Sequence, residues 1–242
     1  MTAATSPRLL VALDTIDRNA AVRQAQAVRR SVAGVKLGLE FFTANGPAGV
    51  REVVAEGQPV FLDLKFHDIP NTVAGAVRAA TALGSFMLNV HAGGGAAMLR
   101  AAVDAAAETA AKTAIGRPLV IGVTILTSLG DGDLTELGLR DATGDQVLRL
   151  ADLAQRCGLD GVVCSPHEIT ALRRHCGPDF TLVVPGIRPA WATAGDQKRF
   201  MTPGEAAQRG ADYLVIGRPI TGADDPAAAA ERIAGEIADA VG

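Results

Sequence analysis

Short apolar runs alternate along this chain with longer stretches in which apolar residues recur at helical spacing. Arg8-Leu-Leu-Val-Ala-Leu13 reads as a strand ending at Asp14. Asn19–Arg30, with Ala20, Val22, Ala25 and Val28 among charges, reads as a helix. The same alternation predicts strands over Gly34–Leu39, Pro59–Lys65, Phe86–Val90, Leu119–Val123, Gly161–Cys164, Thr181–Val184 and Tyr213–Ile216. Between and after them it predicts helices over Pro47–Ala55, Asn71–Ala82, Gly95–Lys112, Asp145–Cys157, Pro166–His175, Pro203–Arg209 and Asp225–Val241, with Asp131 and Asp133 in a loop. The strands are apolar with little alternation, as parallel strands covered on both faces require. Eight β-α units in 242 residues without a break in composition predict an α/β protein, one (β/α)8 TIM barrel spanning 1–242.

Composition narrows the classes. A net charge of −3 with no basic run makes nucleic acid and anionic membranes poor partners. The longest uncharged stretch, Ala79 to Leu99, is interrupted by Gly84, Asn89, His91 and three glycines, so no membrane span is expected. The first residues lack the basic-then-apolar pattern of a secretory signal. Three cysteines without C-x-x-C spacing read as free thiols in a reducing compartment, and a cytoplasmic enzyme is expected.

Phe61-Leu-Asp-Leu-Lys-Phe-His-Asp-Ile-Pro-Asn-Thr72 carries the chemistry. Alternation along a strand turns Asp63 and Lys65 to one face and Leu62, Leu64 and Phe66 to the other, with Asp68 just past the strand end. An ammonium between two carboxylates in an apolar segment costs desolvation, so a use for these charges outweighs a plain ion pair. Barrel chemistry sits at the C-terminal strand ends, where Asp14, Lys36, His91, Thr124, Thr127, Ser165, Arg188 and Arg218 also fall. Gly217-Arg218 after the eighth strand suits a phosphate, and the long loop from Pro185 towards Thr202 reads as a lid offering Arg188 and Gln197. Gly93-Gly94-Gly95 lacks any nucleotide-loop pattern and reads as a helix N-terminal turn. His67, His91, His167 and His175 have no metal spacing, and no metal is assigned.

The stretch Asp63–Thr72 closely resembles the signature of the orotidine 5′-phosphate decarboxylase family. Ala12-Leu13-Asp14, Val35-Lys36-Leu-Gly38, Asn89-Val-His-Ala92, Leu126-Thr-Ser128, Pro185-Gly-Ile-Arg-Pro189, Asp196-Gln-Lys-Arg199 and Ile216-Gly-Arg218 extend the likeness over nearly the whole chain. The resemblance implies conversion of orotidine 5′-phosphate to UMP and CO2 without a cofactor, the last step of de novo pyrimidine synthesis. Lys65 would be the proton donor within an array of Asp63, Asp68 and Lys36. Asp14 and Lys36 would meet the ribose, Thr127 the pyrimidine, and Arg188, Gln197, Gly217 and Arg218 the phosphate and lid. Asp68, Ile69 and Thr72 would reach into a partner's site, making a homodimer. The nearest alternative is a Mg2+-dependent sugar-phosphate decarboxylase or aldolase of the same superfamily, but Lys36 stands where those relatives carry an acid, and a lysine opposes a divalent cation. A Schiff-base aldolase needs a lysine kept neutral, whereas flanking acids favour the charged form. A non-catalytic phosphate-binding barrel leaves Asp63, Lys65 and Asp68 unused.

Overall fold

The strands β1 (Arg8–Ala12), β2 (Gly34–Gly38), β3 (Val60–Phe66), β4 (Met87–His91), β5 (Leu119–Val123), β6 (Gly161–Val163), β7 (Thr181–Val184) and β8 (Tyr213–Ile216) pair in parallel in chain order, and β8 closes on β1. The protein is described by a computed structural model over residues 8–192 and 201–242. Helices α1 (Arg18–Val28), α2 (Leu39–Ala55), α3 (Pro70–Thr81), α4 (Gly95–Thr113), α5 (Asp131–Glu136), α6 (Thr143–Arg156), α7 (Ile169–Cys176), α8 (Pro203–Gln208), α9 (Arg218–Thr221) and α10 (Pro226–Val241) follow their strands. The predicted (β/α)8 barrel is the fold.

Alternation along each strand divides the core into two layers. Leu9, Val11, Leu37, Leu62 and Leu64 face outwards and pack under the helices. Leu10, Phe61, Met87, Ile121, Val183 and Tyr213 turn inwards and fill the barrel axis, so the interior is a plug and not a pore.

The floor of the barrel, at the N-terminal strand ends, is tied by charged side chains bonded to neighbouring strands and loops. Arg117 donates to both oxygens of Asp160, which also accepts from Val120 N. Arg173 on α7 donates to the carbonyls of Gly177, Pro178, Phe180 and Gly210 and to Asp212 at 2.6 Å. Asp212 in turn accepts from Leu182 N of β7. Arg8 at the start of β1 donates to the Tyr213 hydroxyl at the start of β8, across the closing seam.

Most bounds move by a residue or two from the pattern, but three segments differ in kind. The helix expected from Pro47 is the second half of α2. The chain is already helical from Leu39 and breaks at Gly46, whose φ of 58° only glycine adopts readily, before Pro47 restarts it. Asp131 and Asp133, expected in a loop, shape the short helix α5: Asp133 Oδ2 accepts from Gly130 N, and Asp131 Oδ1 accepts from Thr143 N and Oγ1. The expected helix at Pro166 begins as a 3-10 turn, capped by Ser165 with Glu168, so Ser165 belongs to a helix cap. The triple glycine is a 3-10 turn leading into α4, as expected for a helix start.

Candidate active site

Register along β1, β2 and β3 assembles the charged centre. Lys36 lies beside Ala12 and Phe61, and Gly38 beside Asp63, so Lys36 and Asp63 share the inner face above the apolar plug. Lys36 Nζ is 3.1 Å from Asp14 Oδ1 and 3.4 Å from Asp63 Oδ2, while Lys65 Nζ is 2.6 Å from Asp63 Oδ1. Carboxylate and ammonium therefore alternate from Asp14 through Lys36 and Asp63 to Lys65. Asp63 is 8% exposed. Burial by itself raises its carboxyl, but the ammonium groups of Lys36 and Lys65 and the bonds from Lys65 and Asn89 prevail and hold it below its ordinary value. A Cβ at Gly38 would stand 3.1 Å from Lys36 Nζ, so a side chain there would press on this ammonium.

Asp63 and Lys65 do face the barrel mouth while Leu62 and Leu64 face the helices, yet β3 is not regular. Leu62 pairs with Leu88 and Phe66 with Val90, so Asp63, Leu64 and Lys65 lie opposite Asn89 alone. Lys65 takes a φ of 50°, a left-handed conformation that costs a side-chain-bearing residue about 1–2 kcal/mol. Its amide donates to Asn89 Oδ1 at 2.8 Å, and Asn89 Nδ2 donates to Asp63 Oδ1 at 2.7 Å.

Above this array lies a cavity of about 210 Å³ walled by Val123, Ile125, Val163, Cys164, Val183 and Val215, with Lys36, Asp63, Lys65 and Thr127 at its edge. It is apolar on its walls and charged at one end. Burial pushes the Cys164 thiol well above its ordinary value, so this wall carries no thiolate. A second hollow of about 220 Å³ shares Lys36, Pro185 and Val215 with the first and is lined by Asp14, Gly186, Arg188, Gly217 and Arg218. Arg188 is 7% exposed, and its Nη1 has no hydrogen-bond partner among the described residues. A buried guanidinium N–H without a partner is costly, and an anion would satisfy it. Gly217 and Arg218 open α9, which turns back through Ile220 N onto the Gly217 carbonyl.

Beyond Arg188 the chain is anchored at both sides of the expected lid. Ile187 bridges to Met201, and Arg188 N donates to the Met201 carbonyl. Trp191 donates Nε1–H to Glu236 of α10 at 2.6 Å and lies under the Arg232 guanidinium, 4.4 Å from the ring centre. Gln197 lies outside the described residues.

The other expected residues divide. Asp68 does not reach Lys65 within its own chain: it is exposed and accepts from Ile69 N, so Lys65 sits beside one carboxylate, not between two. The chain has turned by Asp68 to start α3 at Pro70, which carries the carboxylate outwards. Ile69 is 67% exposed and Thr72 is exposed on the first turn of α3, together with Asp68 forming a patch beside the mouth. Thr127 is exposed at the cavity rim. Thr124 is buried and its hydroxyl donates to the Val163 carbonyl, an inter-strand tie. His91 stands 5.2 Å from His67 between ring centres, and burial with the His67 and Lys65 charges lowers it. Asn89 is the residue that sequence reasoning gave no role. The signal was a fully buried-looking strand with one amide in it, Phe86-Met-Leu-Asn-Val90, beside the charged strand.

Among the described residues no three His, Cys, Asp or Glu side chains cluster as a metal site, and no helix is long and apolar enough to cross a membrane.

Comparison with known proteins shows the family and the same fold. A family model described as orotidine 5′-phosphate decarboxylase / HUMPS family matches residues 7–233. A protein of Paramagnetospirillum magneticum named orotidine 5′-phosphate decarboxylase is 57% identical over 227 residues, covering 94% of this chain and 97% of the relative. One of the same name from Moorella thermoacetica is 55% identical over 231 residues, covering 95% and 92%. The crystal structure of orotidine 5′-phosphate decarboxylase from Lactobacillus acidophilus superposes with a TM-score of 0.84 at 37% identity, covering 96% of this chain and 99% of that one.

Proposed function

The chain belongs to the orotidine 5′-phosphate decarboxylase / HUMPS family, and on that premise we propose that it decarboxylates orotidine 5′-phosphate to UMP and CO2 without metal or cofactor. The observation that carries this reading is the Lys65 ammonium, held 2.6 Å from Asp63 at the charged end of an otherwise apolar, base-sized cavity.

The chemistry follows from charge. Breaking the bond from C6 to the carboxylate leaves the electron pair on C6, where no neighbouring carbonyl disperses it well. Lys65 Nζ beside C6 would stabilise that pair and then supply its proton. Asp63 positions this ammonium and would lie near the leaving carboxylate, while Lys36 counters Asp63 from the other side. Asp14 with Lys36 would hold the ribose hydroxyls, and Thr127 the pyrimidine edge. Arg188, Gln197, Gly217 and Arg218 would take the phosphate, where Arg188 Nη1, without a partner among the described residues, supports an anion. Binding energy from the phosphate, remote from the reacting bond, would press C6 against Lys65.

The exposed Asp68, Ile69 and Thr72 fit a homodimer in which each chain supplies them to its partner's site and completes the second carboxylate at Lys65. Residues 1–242 act as one catalytic unit in this reading, and free buried cysteines suit the cytoplasm.

The Mg2+-dependent alternative is opposed by Lys36, whose ammonium lies 3.4 Å from Asp63, where a divalent cation would need negative ligands. The test is absorbance loss on adding orotidine 5′-phosphate to EDTA-treated protein, beside Lys65→Ala. Turnover that survives EDTA and disappears in the variant is expected. Turnover only after Mg2+ is restored would move the chain to the metal-dependent branch, and none at all would leave a phosphate-binding barrel.

A further inference from the structure

We propose that Asn89 is a positioning residue for the proton donor: its carboxamide holds both the left-handed backbone of Lys65 and the carboxylate that aims the Lys65 ammonium. This deepens the decarboxylase reading and rests on it.

The geometry is a closed ring of hydrogen bonds. Lys65 N donates to Asn89 Oδ1, Asn89 Nδ2 donates to Asp63 Oδ1, and the same oxygen accepts from Lys65 Nζ. One residue is thus gripped at its amide and at the tip of its side chain by a single two-residue unit. The ring stands where the β3–β4 ladder is interrupted, with Asn89 alone opposite Asp63, Leu64 and Lys65. A regular strand would satisfy the Lys65 amide with a neighbouring carbonyl. Here a side-chain oxygen does so instead, which leaves the backbone free to take φ 50°. Asn89 is fully buried, so water does not compete for either bond.

Only a carboxamide serves both ends. It offers an acceptor to an N–H and a donor to a carboxylate along one short, stiff side chain. Leucine has the size but neither group. Aspartate keeps the acceptor for Lys65 N but sets an oxygen against Asp63 Oδ1, so it separates the two functions.

The experiment measures kcat, KM and UMP affinity for wild type, Asn89→Leu and Asn89→Asp, with unfolding midpoints and hydrogen exchange of the wild-type Lys65 amide. In both variants kcat is expected to fall about 100-fold, the loss that a misplacement near 1 Å produces, while KM and UMP affinity stay within about threefold. The proposed phosphate contacts do not involve Asn89, and Lys36, assigned to the ribose, meets the other oxygen of Asp63 and keeps Asp14 as a second partner. The Lys65 amide should exchange as slowly as ladder amides of β3. A folded Asn89→Leu with kcat within about threefold of wild type would overturn the assignment, and so would parallel losses of kcat and UMP affinity, which mark a general structural role. If Asn89→Leu does not fold, Asn89→Asp decides by the same measures. If neither folds, fast exchange of the Lys65 amide overturns the proposal and slow exchange supports it. A wild type that fails to turn over orotidine 5′-phosphate would sink the decarboxylase reading instead, an outcome distinct from an active wild type with an equally active Asn89→Leu.

Discussion

The two ends of this barrel use charge in opposite ways. At the floor, Arg173 meets four carbonyls and a carboxylate, so this cation is saturated by the protein itself, and Arg117 Nη1 reaches both oxygens of Asp160. At the mouth, Lys65 leans on one carboxylate from a strained backbone, and Arg188 keeps a buried N–H without a partner among the described residues. Saturated charge stabilises a fold, and charge left with spare valence waits for a ligand. Mutation at the mouth should therefore cost mainly catalysis, and mutation at the floor mainly stability.

The strongest test of that separation is Lys65→Ala. Loss of both carbanion stabilisation and proton donation should reduce kcat by about 10⁴-fold or more, while the unfolding midpoint falls only slightly, because Asp63 keeps Lys36 as a partner. A large drop in midpoint would break the contrast. Arg188→Ala should lower kcat/KM for orotidine 5′-phosphate by about 10²–10³-fold yet barely affect orotidine, which has no phosphate; equal losses for both would place Arg188 elsewhere than at the phosphate. At the floor, Arg173→Ala should cost about 2–4 kcal/mol and several degrees in thermal unfolding, with kcat/KM at 25 °C within about twofold.

A smaller effect concerns pH. The Asp63 carboxyl is held below its ordinary value, so its pairing stabilises the fold above the unfolded value near 3.9 and the benefit is lost as pH falls through the lower folded value. Asp63→Asn should be less stable than wild type by about 1–3 kcal/mol at pH 7, since Lys36 and Lys65 are then left facing each other. Chemical denaturation at descending pH should show that gap closing in acid. A gap that widens in acid would contradict the assignment. The smallest expected difference is at the backbone: Lys65→Gly should be about 1 kcal/mol more stable than Lys65→Ala, because glycine tolerates φ 50°.

The strands were legible because short apolar runs bounded by turn formers leave few alternatives, and eight in series impose closure. Lys36, Asp63, Lys65 and Arg188 were legible as charges at strand ends, which barrels turn towards one face. What escaped notice was relational. The first turns of α2 hide because Gly46-Pro47 looks like the place where a helix begins, when it interrupts one. Nothing local announces that Lys65 is left-handed, since the cause is Asn89 on another strand. Asp68 sits in the motif beside Lys65 yet points away, because the turn into α3 lies between them.

Trp191 and Tyr213 are the chain's single tryptophan and single tyrosine, and the fold has put one at each end. The indole, bonded to Glu236 and capped by Arg232, stands just past Arg188, while the phenol seals the β1–β8 seam below. The molecule thus carries two native optical labels. Tryptophan emission should report ligand arriving at the mouth, and the tyrosine signal should stay silent until the barrel itself comes apart.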